Sequence, residues 1–129
     1  MKIEWSSSWK GSKLPRKQRK YRINAPLHIK RKFVAVHLSK ELRVKYSRRA
    51  VPLRVGDKIK VLIGSHRGYV GKVERVDIKK TRVYVTGLEI TKKDGNKTLS
   101  PINPSNIMIT ELQLGDKKRE AMLARTAQK

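Results

Sequence analysis

Between Val55 and Asp77 the chain sets up an alternation and then breaks it, and this stretch limits the fold more than any other. Ile59, Val61 and Ile63 alternate with Lys58, Lys60 and Leu62, the period-two pattern of a strand with one buried face. A loop carrying Gly64, Gly68 and Gly71 follows, then a second apolar run on Val70, Val73 and Val76. Val73 and Val76 lie three apart, so strict alternation fails and a β-bulge or sharp bend is predicted there. The glycines supply positive-φ turns and close backbone approach. His66, Arg67 and Tyr69 stand in the loop, two cation-capable side chains and an aromatic. The stretch reads as the hairpin of a small barrel whose loop presents RNA-binding groups.

Further strands are legible downstream. Lys79-Lys80 read as a turn and Val83-Tyr84-Val85 as a strand ending at Gly87. Leu88 and Ile90 alternate with Glu89 and Thr91, Asp94-Gly95 is a hairpin turn signal, and Thr98-Leu99 form the returning arm. Pro101 to Ser105 interrupt the pattern before a last strand on Ile107 and Ile109. Short strands of this kind suit a small antiparallel barrel over residues 51–112. Upstream, Pro26 suits a helix start, and Ile29, Phe33 and Val36 fall at helical spacing with Lys30, Arg31 and Lys32 opposite. Ser39 reads as the N-cap of a second helix over Lys40–Tyr46. Phe33 and Leu42 are expected to pack on the barrel. Asp116 can cap a C-terminal helix through Ala124, but Lys117, Lys118 and Arg119 sit in its first turn, where cations oppose the dipole. That mismatch leaves two readings, a helix formed against phosphates or a frayed tail.

Charge then separates function classes. The formal net charge is +23 over 129 residues, which points to a polyanionic partner, nucleic acid first. Residues 1–50 hold 16 Lys/Arg against 2 Asp/Glu, a net of +14, while residues 51–112 hold 12 against 6, a net of +6. A folded middle with basic extensions, 1–50 and 113–129, is the organisation expected. Residues 1–25 mix Trp5, Trp9 and Tyr21 with Arg16, Lys17, Arg19, Lys20 and Arg22. They have too few apolar groups for a core of their own and are expected to be unstructured when free. The segment is either a solvated or import-like run, or an arm that orders on RNA with cations on phosphates and aromatics available to stack.

Other chemistry is absent from the pattern. With no cysteine there is no disulfide framework, thiol nucleophile or Cys-based zinc site. His28, His37 and His66 lack a metal-ligand spacing, so neither metal nor cofactor is expected. A P-loop fails because His66 stands where a glycine is needed and Val73 where Ser or Thr would hold magnesium. The dinucleotide glycine pattern fails as well. Asp57, Glu74 and Asp77 have no nucleophile or metal partner and are expected to pair with neighbouring cations, so the chain is not read as an enzyme. Asn96-Lys97-Thr98 is a formal glycosylation sequon without a secretory signal, since Met1–Ser6 is not a hydrophobic leader. No apolar run approaches the ~20 residues of a membrane span. A cytosolic protein, with neither a membrane nor a small-molecule substrate as partner, is expected.

The glycines at 64, 68 and 71, the Gly56-Asp57 opening, the alternating strand and the closing Lys72-Val73 with Val76-Asp77 resemble the KOW motif, here about residues 54–80. Such motifs occur in ribosomal proteins and transcription elongation factors. The resemblance implies an SH3-like barrel that binds RNA or a partner protein, and hence a mainly β fold with a basic N-terminal extension of short helices and a helical C-terminal tail. Asn24-Ala25-Pro26-Leu27-His28 with Arg31-Lys32, Leu38 to Arg43 with Lys45-Tyr46, and Asn103 to Thr110 occur in order along the chain. These blocks are similar to the archaeal and eukaryotic form of the universal large-subunit ribosomal protein twenty-four family (L twenty-six in eukaryotes), over about residues 15–120. His66 and Tyr69 depart from that pattern, where many relatives carry lysines, and the first 14 residues match nothing firmly. The resemblance implies a structural constituent of the large ribosomal subunit. Such a protein binds the 5′ region of the large rRNA, acts early in assembly, lies near the peptide exit tunnel among other ribosomal proteins, and is not a homo-oligomer. The expected RNA-binding residues are Arg16, Lys17, Arg19, Lys20, Arg22, His28, Lys30, Arg31, Lys32, Arg48, Arg49, Lys60, Ser65, His66, Arg67, Gly68, Tyr69 and Lys72. The competing class is a KOW-domain elongation or RNA-binding factor, though such chains usually carry a further domain before the barrel and are less basic.

Overall fold

The computed structural model describes residues 5, 6, 8, 9 and 11–127. The extreme ends of both expected tails, residues 1–4 and 128–129, lie outside them. In chain order the elements are α1 (Pro15–Asn24), α2 (Leu27–Phe33), β1 (Ala35–Leu38), α3 (Lys40–Tyr46) and β2 (Ala50–Pro52). There follow β3 (Lys58–Val61), β4 (Val70–Asp77), β5 (Arg82–Val85), β6 (Glu89–Thr91), β7 (Lys97–Leu99), a 3-10 turn at Pro104–Asn106, β8 (Ile107–Glu111) and α4 (Lys117–Ala127). The chain is mixed α/β with a mostly β core. Among the described residues no helix is long and apolar enough to cross a membrane.

One six-stranded sheet runs β2-β1-β8-β3-β4-β5, and β6 and β7 pair separately as a hairpin. β1 lies parallel to β8, while β3 is antiparallel to both β4 and β8. The break in alternation is a bulge, as expected: Val73 faces Val85 but Arg75 faces Tyr84, so Glu74 has no opposite number. The extra residue resets the pleat. Val73 is buried and Val76 packs against the same core from the far side of the bulge. A bridge between Val83 and Ile102 ties β5 to the segment that enters β8.

Ile59, Val61, Val83, Val85, Ile107 and Ile109 form the centre of the core. Each is worth roughly 1.5–3 kcal/mol relative to an exposed position. Val36, Leu38 and Val51 extend the core on one side and Leu123 of α4 closes it.

Two expectations need correction. Val36 does not continue the helical face of Ile29 and Phe33, because the helix stops at Phe33. Val34, Val36 and Leu38 instead alternate as buried positions along β1. Their period-two reading is stabilised by pairing with β2 and β8, partners 13 or more residues away in sequence at the nearest register positions. The segment at 15–24, expected to be unstructured, is helical. Pro15 opens it at the first turn, where the missing N–H costs nothing, and Trp5 and Trp9 pack on its Tyr21. α3 is as expected: Ser39 Oγ accepts from Leu42 N at 3.4 Å. Leu42 packs against the core, while Phe33 is half-buried under the Arg22 guanidinium, 5.3 Å from the ring centroid.

α4 settles the two readings of its first turn in favour of neither. Asp116 caps it through Oδ1, which accepts from Lys118 N at 2.8 Å. Arg119 points inward, and its guanidinium makes a two-pronged contact with buried Asp57, both N–O distances being 2.7 Å. The cation that opposes the dipole is held by a carboxylate of the core, and Leu123 one turn on is buried beside it.

Candidate nucleic-acid interface

The loop between β3 and β4 is closed by its own backbone. Gly68 N donates to Val61 O and Val61 N to Tyr69 O, each at 2.9 Å, with Gly64 and Gly68 at φ of 107° and 88°. Tyr69 locks the loop to the sheet. Its hydroxyl donates to Thr86 O at 2.8 Å, and its ring lies in a slot between Gly71 and Gly87. A Cβ at Gly71 would stand 2.8 Å from the ring and one at Gly87 2.3 Å from the hydroxyl oxygen. The ring therefore positions the loop, and Ser65 and Arg67 are left exposed at its tip with His66 half-buried.

His66 and Ser65 open into a cleft of about 300 Å³ shared with Arg82, Asn103 and Asn106. Arg82 and Pro101 also line a second recess of about 510 Å³, whose walls are Arg22 and Ile23 of α1 and the Lys79-Lys80-Thr81 turn. The two recesses thus share a wall and form one groove from the end of α1, past the β4–β5 turn, to the β3–β4 loop. Four cations converge along it: Arg22, Lys79, Lys80 and Arg82. Asp77, the carboxylate of that turn, accepts from Lys80 N at 3.0 Å. On the adjoining strands Arg75 lies over Tyr84, 4.3 Å from its ring centroid.

The structure therefore gathers only some of the residues expected from sequence. Arg22, Ser65 and His66 share the groove. Arg67 and Gly68 are exposed at its loop end, while Lys60 and Lys72 are exposed on the paired strands β3 and β4. Arg16, Lys17, Arg19 and Lys20 are exposed on α1. His28, Arg31 and Lys32 are exposed on α2, with Lys30 half-buried; Arg49 is exposed and Arg48 half-buried between α3 and β2. Sequence reasoning misses Lys79, Lys80, Arg82, Asn103 and Asn106. A signal exists for the first three: a run of cations in a turn holds its charges outward, away from the sheet.

Three carboxylates tie elements of the fold together. Asp57 pairs with Arg119, a partner far along the chain and not the neighbour expected from sequence. Asp116 pairs with Arg54, and Glu111 with Lys58 at 2.7 Å. Arg54 shows how dense the positive field is. Burial lowers its pKa, the Arg31 and Arg119 guanidiniums push the same way, and Asp57 opposes them. Cations crowded like this gain from phosphates laid between them, because binding releases counterions and relieves mutual repulsion.

Comparison with known proteins gives the family. Residues 12–126 match the family model that describes the eukaryotic ribosomal proteins L26 and their archaeal L24 counterparts. The chain is 46% identical over 114 residues to a large ribosomal subunit protein uL24 of Methanosphaera stadtmanae, covering 88% of this chain and 97% of that protein. It is 45% identical over 114 residues to the uL24 of Methanothrix thermoacetophila, covering 88% of this chain and 98% of the relative. With nearly its whole length matched, the chain belongs to this family of ribosomal proteins.

Proposed function

We propose that the chain is a structural, non-enzymatic constituent of the large ribosomal subunit, bound to large-subunit rRNA among neighbouring ribosomal proteins on cytoplasmic ribosomes. The observation that carries the rRNA reading is the cationic groove joining Arg22, Lys79, Lys80 and Arg82 to the Ser65-His66 loop. Phosphates lie along it, and the Asn103 and Asn106 amides and the His66 ring supply hydrogen-bonding groups beside them. The outward cations of α1 and α2 extend the same contact over neighbouring RNA helices. The body is an SH3-like barrel over residues 51–112 with its KOW motif at about 54–80; a basic extension, 1–50, adds β1 to its sheet beside β8, and a tail, 113–129, follows. The bulged β4, the short strands and the Val83–Ile102 bridge support that assignment. As the family resemblance implies, the RNA is the 5′ region of the large rRNA, and the protein joins early, near the peptide exit tunnel.

Sucrose-gradient fractionation after a high-salt wash tests the reading. The protein should stay with the large subunit, and its affinity for a 5′ rRNA fragment should fall steeply as salt rises. Release from the subunit with a flat log–log salt titration would remove it.

A further inference from the structure

The face of α1 turned away from the groove carries a second recess. Lys17, Lys20, Tyr21 and Asn24 recur at helical spacing and line a cavity of about 320 Å³ together with Trp5 and Trp9, within the size range of small-ligand sites (~300–1,000 Å³). The two tryptophans are the only ones in the chain, and both meet one ring. Trp9 stacks on Tyr21 with centroids 4.6 Å apart and an interplanar angle of 20°. Trp5 lies 5.0 Å away from it at 31°. The arrangement is pinned at several points. Trp5 Nε1 donates to the Tyr21 carbonyl at 3.2 Å, and Gln18 Nε2 donates to Ser12 O at 2.9 Å. Gly11, at φ 86°, turns the chain where a Cβ would crowd Gln18 Nε2 at 3.2 Å.

Three aromatic rings around an open recess form a stacking platform, and its rim decides the ligand. Methylammonium groups also favour aromatic cages, but Lys17 and Lys20 repel a cation here. A flat aromatic ligand that carries its own negative charge satisfies both rings and ammoniums. We propose that this recess receives a single unpaired nucleobase of RNA, the base lying against the outer surface of the packed Trp5–Trp9–Tyr21 cluster and its phosphates held by Lys17 and Lys20. The proposal rests on the RNA-binding reading above and adds a mode of contact the groove lacks. Both tryptophans precede residue 12, where the match to the family model begins, while Lys17, Lys20 and Tyr21 lie within it.

Since no tryptophan lies elsewhere in the chain, the intrinsic fluorescence of the full-length protein reports on the site directly. Titration with an unstructured oligoadenylate should quench it, and polyphosphate or polyglutamate at equal charge should not. Trp9→Leu should weaken oligoadenylate binding by about thirty-fold, the mid-range value of one base–aromatic stack. Trp9→Phe, which keeps a ring, should restore most of the affinity, and circular dichroism will show whether either variant alters the fold. Equal quenching by polyphosphate reduces the recess to a charge patch. Equal quenching by polyglutamate assigns it to an acidic peptide. No quenching by oligoadenylate means that no base enters. Each of these three results overturns the proposal. If an rRNA fragment is still retained in a salt-dependent manner, the ribosomal reading stands while the base pocket falls; loss of rRNA binding altogether strikes the functional reading itself.

Discussion

Replacing Asp57 with alanine should cost more stability than any single substitution on the RNA-facing surface. Asp57 is fully buried and its two oxygens accept four hydrogen bonds. Arg54 N and Gln113 N donate at 2.9 and 2.8 Å, and the two Arg119 terminal nitrogens donate at 2.7 Å each. Arg119 Nη1 is also bonded to Gln113 O at 2.9 Å, and its side chain is 2% exposed. Alanine at 57 therefore strands a guanidinium in the core and leaves two backbone N–H groups without their acceptor. Breaking a buried pair from one side costs about 3–5 kcal/mol, a large share of the ~5–15 kcal/mol that holds a domain folded. The thermal midpoint should drop by on the order of 10–25 °C, and amide exchange should rise first in α4, which loses its buried anchor and keeps only Leu123, Met122 and the half-exposed Asp116–Arg54 pair. The pair itself is worth less than either partner's loss. Asp57→Ala combined with Arg119→Met removes both charges and should recover at least ~2 kcal/mol against the sum of the two single variants. Urea denaturation monitored by circular dichroism measures all four corners of this cycle. Additivity, or an Asp57→Ala loss below ~1 kcal/mol, would refute the idea that this ion pair clamps α4 to the sheet.

Other perturbations separate binding from folding. Changing Lys79, Lys80 and Arg82 together to alanine should leave the urea midpoint almost unmoved while lowering the log–log salt slope of rRNA binding by about 2–3 in filter binding; an unchanged slope would place the RNA elsewhere. Arg67→Ala, at the exposed tip of the β3–β4 loop, should weaken the same fragment without unfolding the sheet, and unchanged affinity would count against a loop contact. Gly87→Ala drives a methyl into the Tyr69 hydroxyl at a positive φ and should destabilise by ~1–3 kcal/mol. In a Tyr69→Phe background that loss should shrink, and an equal loss in both backgrounds would show that the cost lies in backbone strain alone.

Local signals account for what is legible in the sequence. The bulge at Glu74 is visible as a three-residue spacing between valines, the Ser39 cap as a serine ahead of a helical run, and the Asp94-Gly95 turn as a dipeptide. Each is a property of adjacent residues. What stays hidden depends on partners distant in the chain. β1 looks helical from its upstream spacing, and only β2 and β8 make its alternation the lower-energy choice. The groove is hidden for the same reason. Arg22 and Arg82 stand far apart in number, and no pattern along the chain brings them to one recess. The β3–β4 loop is legible as an exposed turn, yet Tyr69 reads from sequence as a ligand-facing ring because the slot made by Gly71 and Gly87 exists only after β4 and β5 pair.

The distribution of the acidic residues explains how so basic a chain can fold and still direct its charge. There are 10 carboxylate residues against 33 cations, so neutralising every cation is impossible and position matters more than number. Asp57 takes Arg119 inside the core, Asp116 takes Arg54 at the start of α4, and Glu111 takes Lys58 between β8 and β3. The buried Asp57–Arg119 pair quenches a cation where low dielectric makes repulsion strongest, while the other two pairs lie at the surface, where solvent screens them. The α1 segment from Pro15 to Asn24 contains no carboxylate at all. In the Lys79–Arg82 turn the nearest carboxylate in sequence, Asp77, is engaged with the turn backbone through Lys80 N. Repulsion left on the surface is screened in part by salt when the chain is free and removed by phosphates when it is bound. A chain arranged this way holds its fold together with a few carboxylates and leaves the remaining positive potential facing outward, which is the condition a polyanion can exploit.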